Sequence, residues 1–225
     1  MYCMYCGFGF SDEIIRCPRC STPTKSADPE EGEYDVSFLK QLNLNEMFYF
    51  GMNASMHPII WKVIKKSRDE IFAITRDIQV KKRFHEGLGH RYREIDWNRA
   101  DLCEWLNKDF FENGFSKKEQ ELFLPHSPEQ YENDFSYYGT HNVNILSKKE
   151  YDELPAEAVD GFGPYWLCTS VEEEVYLVVP KGNGSISSTL CQGTFQYGVR
   201  PVIKLAIGNN RIPSPYPLPW KGHKE

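Results

Sequence analysis

Four cysteines near the start of the chain carry its clearest chemistry. Cys3 and Cys6 are two residues apart, as are Cys17 and Cys20, and ten residues separate the pairs. Two paired-thiol turns present four thiolates in the tetrahedral arrangement that Zn²⁺ accepts without electronic preference. Gly7 follows the first pair, where a missing Cβ lets backbone amides turn toward sulfur, and Pro18 stiffens the second turn. Two disulfides would use the same thiols in an oxidising compartment, and iron accepts the same ligand set. The reading adopted is one structural zinc on Cys3, Cys6, Cys17 and Cys20, whose binding supplies most of the folding free energy of so short a segment. Protein fills all four positions, leaving none open for catalysis. Asp12, Glu13, Arg16 and Arg19 cancel in charge, which suits a structural or protein-docking knob better than a grip on nucleic acid.

A second concentration of chemistry lies in residues 76–93. Six Lys or Arg residues stand there against Asp77 and Glu86, with His85 and His90 and the interleaved rings of Phe84 and Tyr92. Charge and stacking could hold an anion. The candidate ligand-binding set is Lys82, Arg83, Arg91 and Arg93, with Arg200 as an anion clamp. Charged surface loops are common, however, and no ligand motif accompanies this one, so a solvated loop is the favoured reading. His85 and His90 are five apart with Gly87 and Gly89 between them, which is not the spacing of a helical metal pair. Glu172, Glu173 and Glu174 read as a solvated turn rather than a calcium site.

No catalytic residues are assigned. The chain has no G-x-S-x-G elbow, and the G-F-G at 161–163 lacks the third glycine of a phosphate-cradling loop. Cys103 follows Leu102 near a buried face and reads as inert packing; Cys168 and Cys191 read as reduced and half-buried on strands.

The elements that must position these groups centre on residues 97–115. Leu102, Trp105, Leu106 and Phe110 fall on one face of a helix, capped by Asp96 or Asn98 and ended by Asn113 and Gly114 in a left-handed cap. Their rings read as core rather than as a stacking platform. Ser116 with Glu119, and Ser147 with Glu150, are capping boxes opening short helices over 117–123 and to about Leu154. A short helix within 34–45 leads in, and 125–141 reads as irregular. Strands are predicted at 47–51, 59–66, 70–75, 143–146, 165–170, 175–179, 185–190 and 199–207, with Trp61 and Val63 on one face and Gly182, Asn183 and Gly184 in a hairpin turn. Pro201 cannot donate to a ladder, so the last strand is expected at an edge or with a bulge.

With 225 residues, 14% aromatic and 40% hydrophobic, the chain can bury a core of ordinary size beside an appendage. The divisions are a zinc ribbon over 1–20, a flexible linker over 21–33, an α+β main domain over 34–207 and a Pro-rich tail over 208–225. The linker holds no large apolar residue and spans about 20 Å if flexible. Prolines at 213, 215, 217 and 219 favour extended geometry, so the tail could dock back on the domain or on an aromatic groove. A net charge of −6 argues against general nucleic-acid binding, and no apolar run approaches the ~20 residues of a membrane span. Cys3 and Cys6 occupy the place of a signal peptide, so a cytoplasmic setting is expected.

Taken together, IIWKVI, DWNRADLCEWLNKDFF with GFSKKE, NILSKKEY, YWLCTS and GVRPVIKL make residues 47–207 resemble a bacterial domain-of-unknown-function family, the one numbered 6273. The first twenty residues resemble bacterial zinc ribbons through CMYCG and CPRC. The resemblance implies an α+β domain with a mixed or antiparallel sheet, a central amphipathic helix and short helices, C-type-lectin-like by analogy. The resemblance extends by analogy to formylglycine-generating-enzyme-like domains, but the lectin-type calcium motif and a convincing pair of active-site cysteines are missing here. The function expected is that of a non-enzymatic binding or scaffold protein, with a protein as partner. The alternative is an enzyme of unrecognised class acting on a small anionic substrate, which requires a deep cleft with perturbed titratable groups.

Overall fold

The computed structural model describes residues 37–55, 57–86, 95–132, 138–159, 163–171, 174–179, 185–191 and 194–207. Cys3, Cys6, Cys17 and Cys20, expected as zinc ligands, the expected linker and tail, the 182–184 turn and residues 87–94 lie outside them. In chain order come α1 (Ser37–Gln41), β1 (Met47–Met52), β2 (Pro58–Lys66), β3 (Glu70–Thr75), β4 (Val80–Lys82) and a 3₁₀ turn (Trp97–Arg99). Next is one helical run made of α2 (Asp101–Trp105), a π turn (Leu106–Phe110) and α3 (Phe111–Gly114), and then α4 (Lys117–Gln120). β5 (Val143–Asn144), α5 (Lys148–Glu153), α6 (Ala156–Val159), β6 (Tyr165–Val171), β7 (Glu174–Val179), β8 (Ser185–Leu190), β9 (Tyr197–Val199) and β10 (Val202–Ala206) complete an α+β fold.

Among the described residues the strands form two five-stranded sheets, ordered β1-β2-β3-β10-β5 and β4-β9-β6-β7-β8. Pairing is antiparallel except between β9 and β6. Both sheets feed both cores. Trp61, Ala73, Trp166 and Leu177 belong to one buried cluster, while Ile64, Phe72, Leu167 and Val178 belong to the other. Burial on both faces explains why β3 and β6 read as nearly unbroken apolar runs rather than alternating ones. Each fully buried Ile or Leu there contributes about 1.5–3 kcal/mol.

The last predicted strand is divided. Its first part is β9 and its second part is β10, and these belong to different sheets. Pro201 sits at the crossing, where its carbonyl accepts from Thr75 N at 2.9 Å. β10 is interior, between β3 and β5. The edge placement expected for this strand is therefore corrected: the missing proline N–H falls where the chain leaves one ladder for the other.

The helical run is also less regular than its spacing suggests. Asp96 caps the 3₁₀ turn by accepting from Arg99 N at 3.1 Å, whereas Asn98 Oδ1 meets His141 Nε2 at 3.0 Å. Gly114 does not adopt a left-handed conformation; the run ends because Phe115 turns extended, at φ −134. Both capping boxes form as expected. Glu119 does more than cap, since its Oε1 also accepts from Gly51 N at 3.1 Å and stitches α4 to β1. Gly51 itself sits at φ +72, with Phe115 and the Gly114 carbonyl filling the space a Cβ would need.

Candidate functional site

β4 and the helical run meet along one line. Leu102 N donates to the Phe84 carbonyl at 3.2 Å, and Trp166 Nε1 donates to the Lys82 carbonyl at 2.8 Å, so the chain after β4 is fixed between helix and sheet. Phe84 is driven into the core, where its ring lies 5.8 Å from Trp97 and 5.7 Å from Trp166. It is unavailable for the ligand stacking considered from sequence. Its neighbours Lys82 and Arg83 then point to the rim of a depression, with Glu86, Asp101, Glu104, Trp105, Lys108 and Asp109 around it.

The π turn shapes this rim. Phe111 N reaches back to the Leu106 carbonyl, a five-residue span that holds one extra residue in the turn. Asn107 stabilises it through its amide: Nδ2 donates to the carbonyls of Cys103 and Val143, and Oδ1 accepts from Val143 N, all at about 3 Å. Leu106 and Phe110 stay buried, but Trp105 is only half-buried, not a full member of the core face. Lys82 Nζ rests 4.8 Å from its ring centre, a cation–π contact. π turns recur at functional positions in helices, and this one had no signal in the apolar spacing.

The depression is shallow and mixed in charge. Its volume is about 220 Å³, below the ~300 Å³ at which small-molecule sites begin. Three cationic side chains (Lys82, Arg83, Lys108) face four carboxylates (Glu86, Asp101, Glu104, Asp109). Lys108 pairs with Glu104, whose hydrogen bond raises the lysine pKa. Asp101 Oδ2 accepts from Glu86 N at 2.6 Å and lies 3.1 Å from His85 Nδ1. Much of the local charge is thus already matched.

Of the residues singled out from sequence, Lys82 and Arg83 come together here, and Arg91 and Arg93 lie outside the described residues. Arg200 is elsewhere. It is 1% exposed, donates to the carbonyls of Thr75, Val159 and Arg76, and lies against the Tyr165 ring. A guanidinium so enclosed has no open face for an anion and acts as a strut at the sheet crossing, which corrects the clamp expected of it.

The most perturbed titratable groups are not among the residues that line the depression. Burial pushes the Cys103 thiol up to about 12, which fits inert packing. Cys168 and Cys191 are fully buried rather than half-buried. Burial lowers His126 to about 3, beside Lys204 and packed edge-on against Phe72. Glu150 is raised to about 7 by burial, against the hydrogen bonds from Ser147 N and Glu129 N that favour its ionised form. Each is committed to packing or capping. Among the described residues no group of three or more His, Cys, Asp or Glu is placed to hold a metal, and no helix is long and apolar enough to cross a membrane.

Residues 68–151 match the model of a family described as a domain of unknown function (DUF6273). The matched span contains every residue lining the depression, and it is narrower than the 47–207 resemblance, leaving out β1, β2, and β6 to β10. No curated protein and no solved structure matches the chain.

Proposed function

We propose that the chain is a binding or scaffold protein whose main domain engages a protein partner at the depression between β4 and the π turn. The observation that carries this reading is the lining: a shallow surface of about 220 Å³ with three cations, four carboxylates and the half-buried Trp105. Mixed charge around an aromatic anchor suits a polar protein surface, where Trp is a favoured anchor and paired charges set orientation. A sequestered small substrate asks for a deeper and drier cavity.

The first twenty residues are proposed to hold one structural Zn²⁺ on Cys3, Cys6, Cys17 and Cys20, since four thiolates form a closed tetrahedral set. The lectin-like comparison and a cytoplasmic setting remain part of the proposal; loops displayed from a mixed sheet and a thiolate-rich metal site favour them. Lys82 and Arg83 at the rim favour the second reading, an enzyme acting on a small anion. Titration of the zinc-loaded chain with inorganic phosphate and with citrate, read by amide chemical shifts, separates the two. The binding-protein reading expects no saturable shifts at Lys82, Arg83 or Lys108 up to 10 mM, on the order of ten times a typical upper KM. Saturation at these residues below about 1 mM, a typical upper KM, would move the anionic-substrate reading ahead.

A further inference from the structure

The charges around the depression are sorted rather than scattered. One lip is the chain at and just after β4, which supplies Lys82, Arg83 and Glu86. The other is the helical run, which supplies Asp101, Glu104, Lys108 and Asp109. Glu112 continues the helical lip, exposed and one turn beyond Lys108. The hydrogen bond and charge of Glu104 raise the Lys108 pKa, and Glu112 and Asp109 add to the effect. The helical lip therefore sets Asp101, Glu104, Asp109 and Glu112 against one lysine, which is already paired with Glu104. On the β4 lip, Glu86 lies at the end where its N–H meets Asp101, leaving Lys82 and Arg83 to set the sign. Among the described residues neither is in an ion pair, and Lys82 rests on the Trp105 ring instead. Trp105 stands between the lips, half-buried.

A basic lip and an acidic lip on either side of an aromatic ring make a surface that is its own complement. A two-fold axis running along the depression turns a second copy so that its helical lip lies over the first copy's β4 lip, and the reverse. Lys82 and Arg83 then face Glu104, Asp109 and Glu112 of the second copy, and the two Trp105 side chains approach each other near the axis. Such an isologous contact uses one patch on both subunits and makes every pairing twice. The other two-fold, running across the depression, lays like charges face to face, which costs several kcal/mol in an interface. Charge alone thus picks one axis. A foreign partner needs a matching acidic and basic pattern on a different surface, whereas this patch already holds both halves.

We propose that the protein engaged at the depression is a second copy of this chain, held by this crosswise match of charge. The inference rests on reading the depression as a protein-binding surface. Sedimentation of the full chain over a dilution series tests it, with two opposite charge reversals at rim positions outside the buried core. Lys82→Glu with Arg83→Glu makes both lips acidic, and Asp109→Lys with Glu112→Lys makes both basic. Each variant alone should self-associate at least about tenfold more weakly than the natural chain, and an equimolar mixture of the two should form dimers again. A natural chain that stays monomeric throughout the series overturns the proposal. So does a dimer that either reversal leaves unchanged, or one that the mixture does not restore. A photo-crosslinking residue at Lys108 separates this inference from the reading beneath it. An adduct of twice the chain's mass supports the second copy. An adduct with a different protein overturns the second copy and keeps the protein-binding surface, while no adduct at all removes both.

Discussion

Removing the Arg200 guanidinium takes from the carbonyls of Thr75 and Arg76 a donor they now share, while the Val159 carbonyl keeps the Tyr165 hydroxyl as a donor at 3.0 Å. A buried acceptor left unsatisfied costs about 1–3 kcal/mol, so Arg200→Met should lower stability by about 3 kcal/mol or more in denaturant unfolding. A loss below about 0.5 kcal/mol, the range of ordinary surface substitutions, would contradict its role as a strut. Two buried groups set the response to pH. His126 is lowered from 6.5 to about 3, so as pH falls through that window the unfolded chain protonates first and the native state loses stability. Glu150 is raised from 4.5 to about 7, so as pH rises through that window the unfolded chain ionises first and the native state again loses stability. Each contributes about 1.4 kcal/mol per pH unit, and between 4.5 and 6.5 the two slopes oppose. The denaturant midpoint of Glu150→Gln should therefore fall more steeply on acidification than that of the natural chain, and that of His126→Gln less steeply. Parallel curves for all three chains would contradict both assignments. Neither burial could be read from sequence, because His126 lies in a segment without periodicity and Glu150 is identifiable only as a cap.

Elements whose signal is local were legible. Ser116 with Glu119 and Ser147 with Glu150 specify their own helix starts, and 70–75 and 185–190 coincide with β3 and β8. Elements set by distant partners were not. The division of 199–207 into β9 and β10 depends on which sheet each half meets, and the π turn depends on Asn107 reaching the backbone of Val143. The site suffered most from this. Lys82 and Arg83 stood out by charge, but Trp105, Lys108 and Asp109 join them only because the π turn places them there. Gly51 offers a test of how closely β1 approaches the helical run. Gly51→Ala forces a Cβ to within 2.4 Å of the Phe115 ring at φ +72, and should cost more than about 1 kcal/mol. A thermal midpoint equal to that of the natural chain would show that β1 can withdraw freely.

For the whole molecule, the ribbon and the main domain should respond separately to metal. A single zinc per chain is expected from elemental analysis, and a chelator should remove it while leaving the main unfolding transition in place, since the cores are built from residues far along the sequence. Loss of both together would mean that the ribbon supports the domain. The most direct test of the central claim places a photo-crosslinking residue at Lys108, on the rim beside Trp105, and another at Arg68, a distant exposed position, in chains expressed in their native host. A discrete protein adduct is expected from position 108, absent from position 68 and lost when Trp105→Ala is added. Equal adducts from both positions, or an adduct at 108 indifferent to Trp105, would contradict a partner site at the depression.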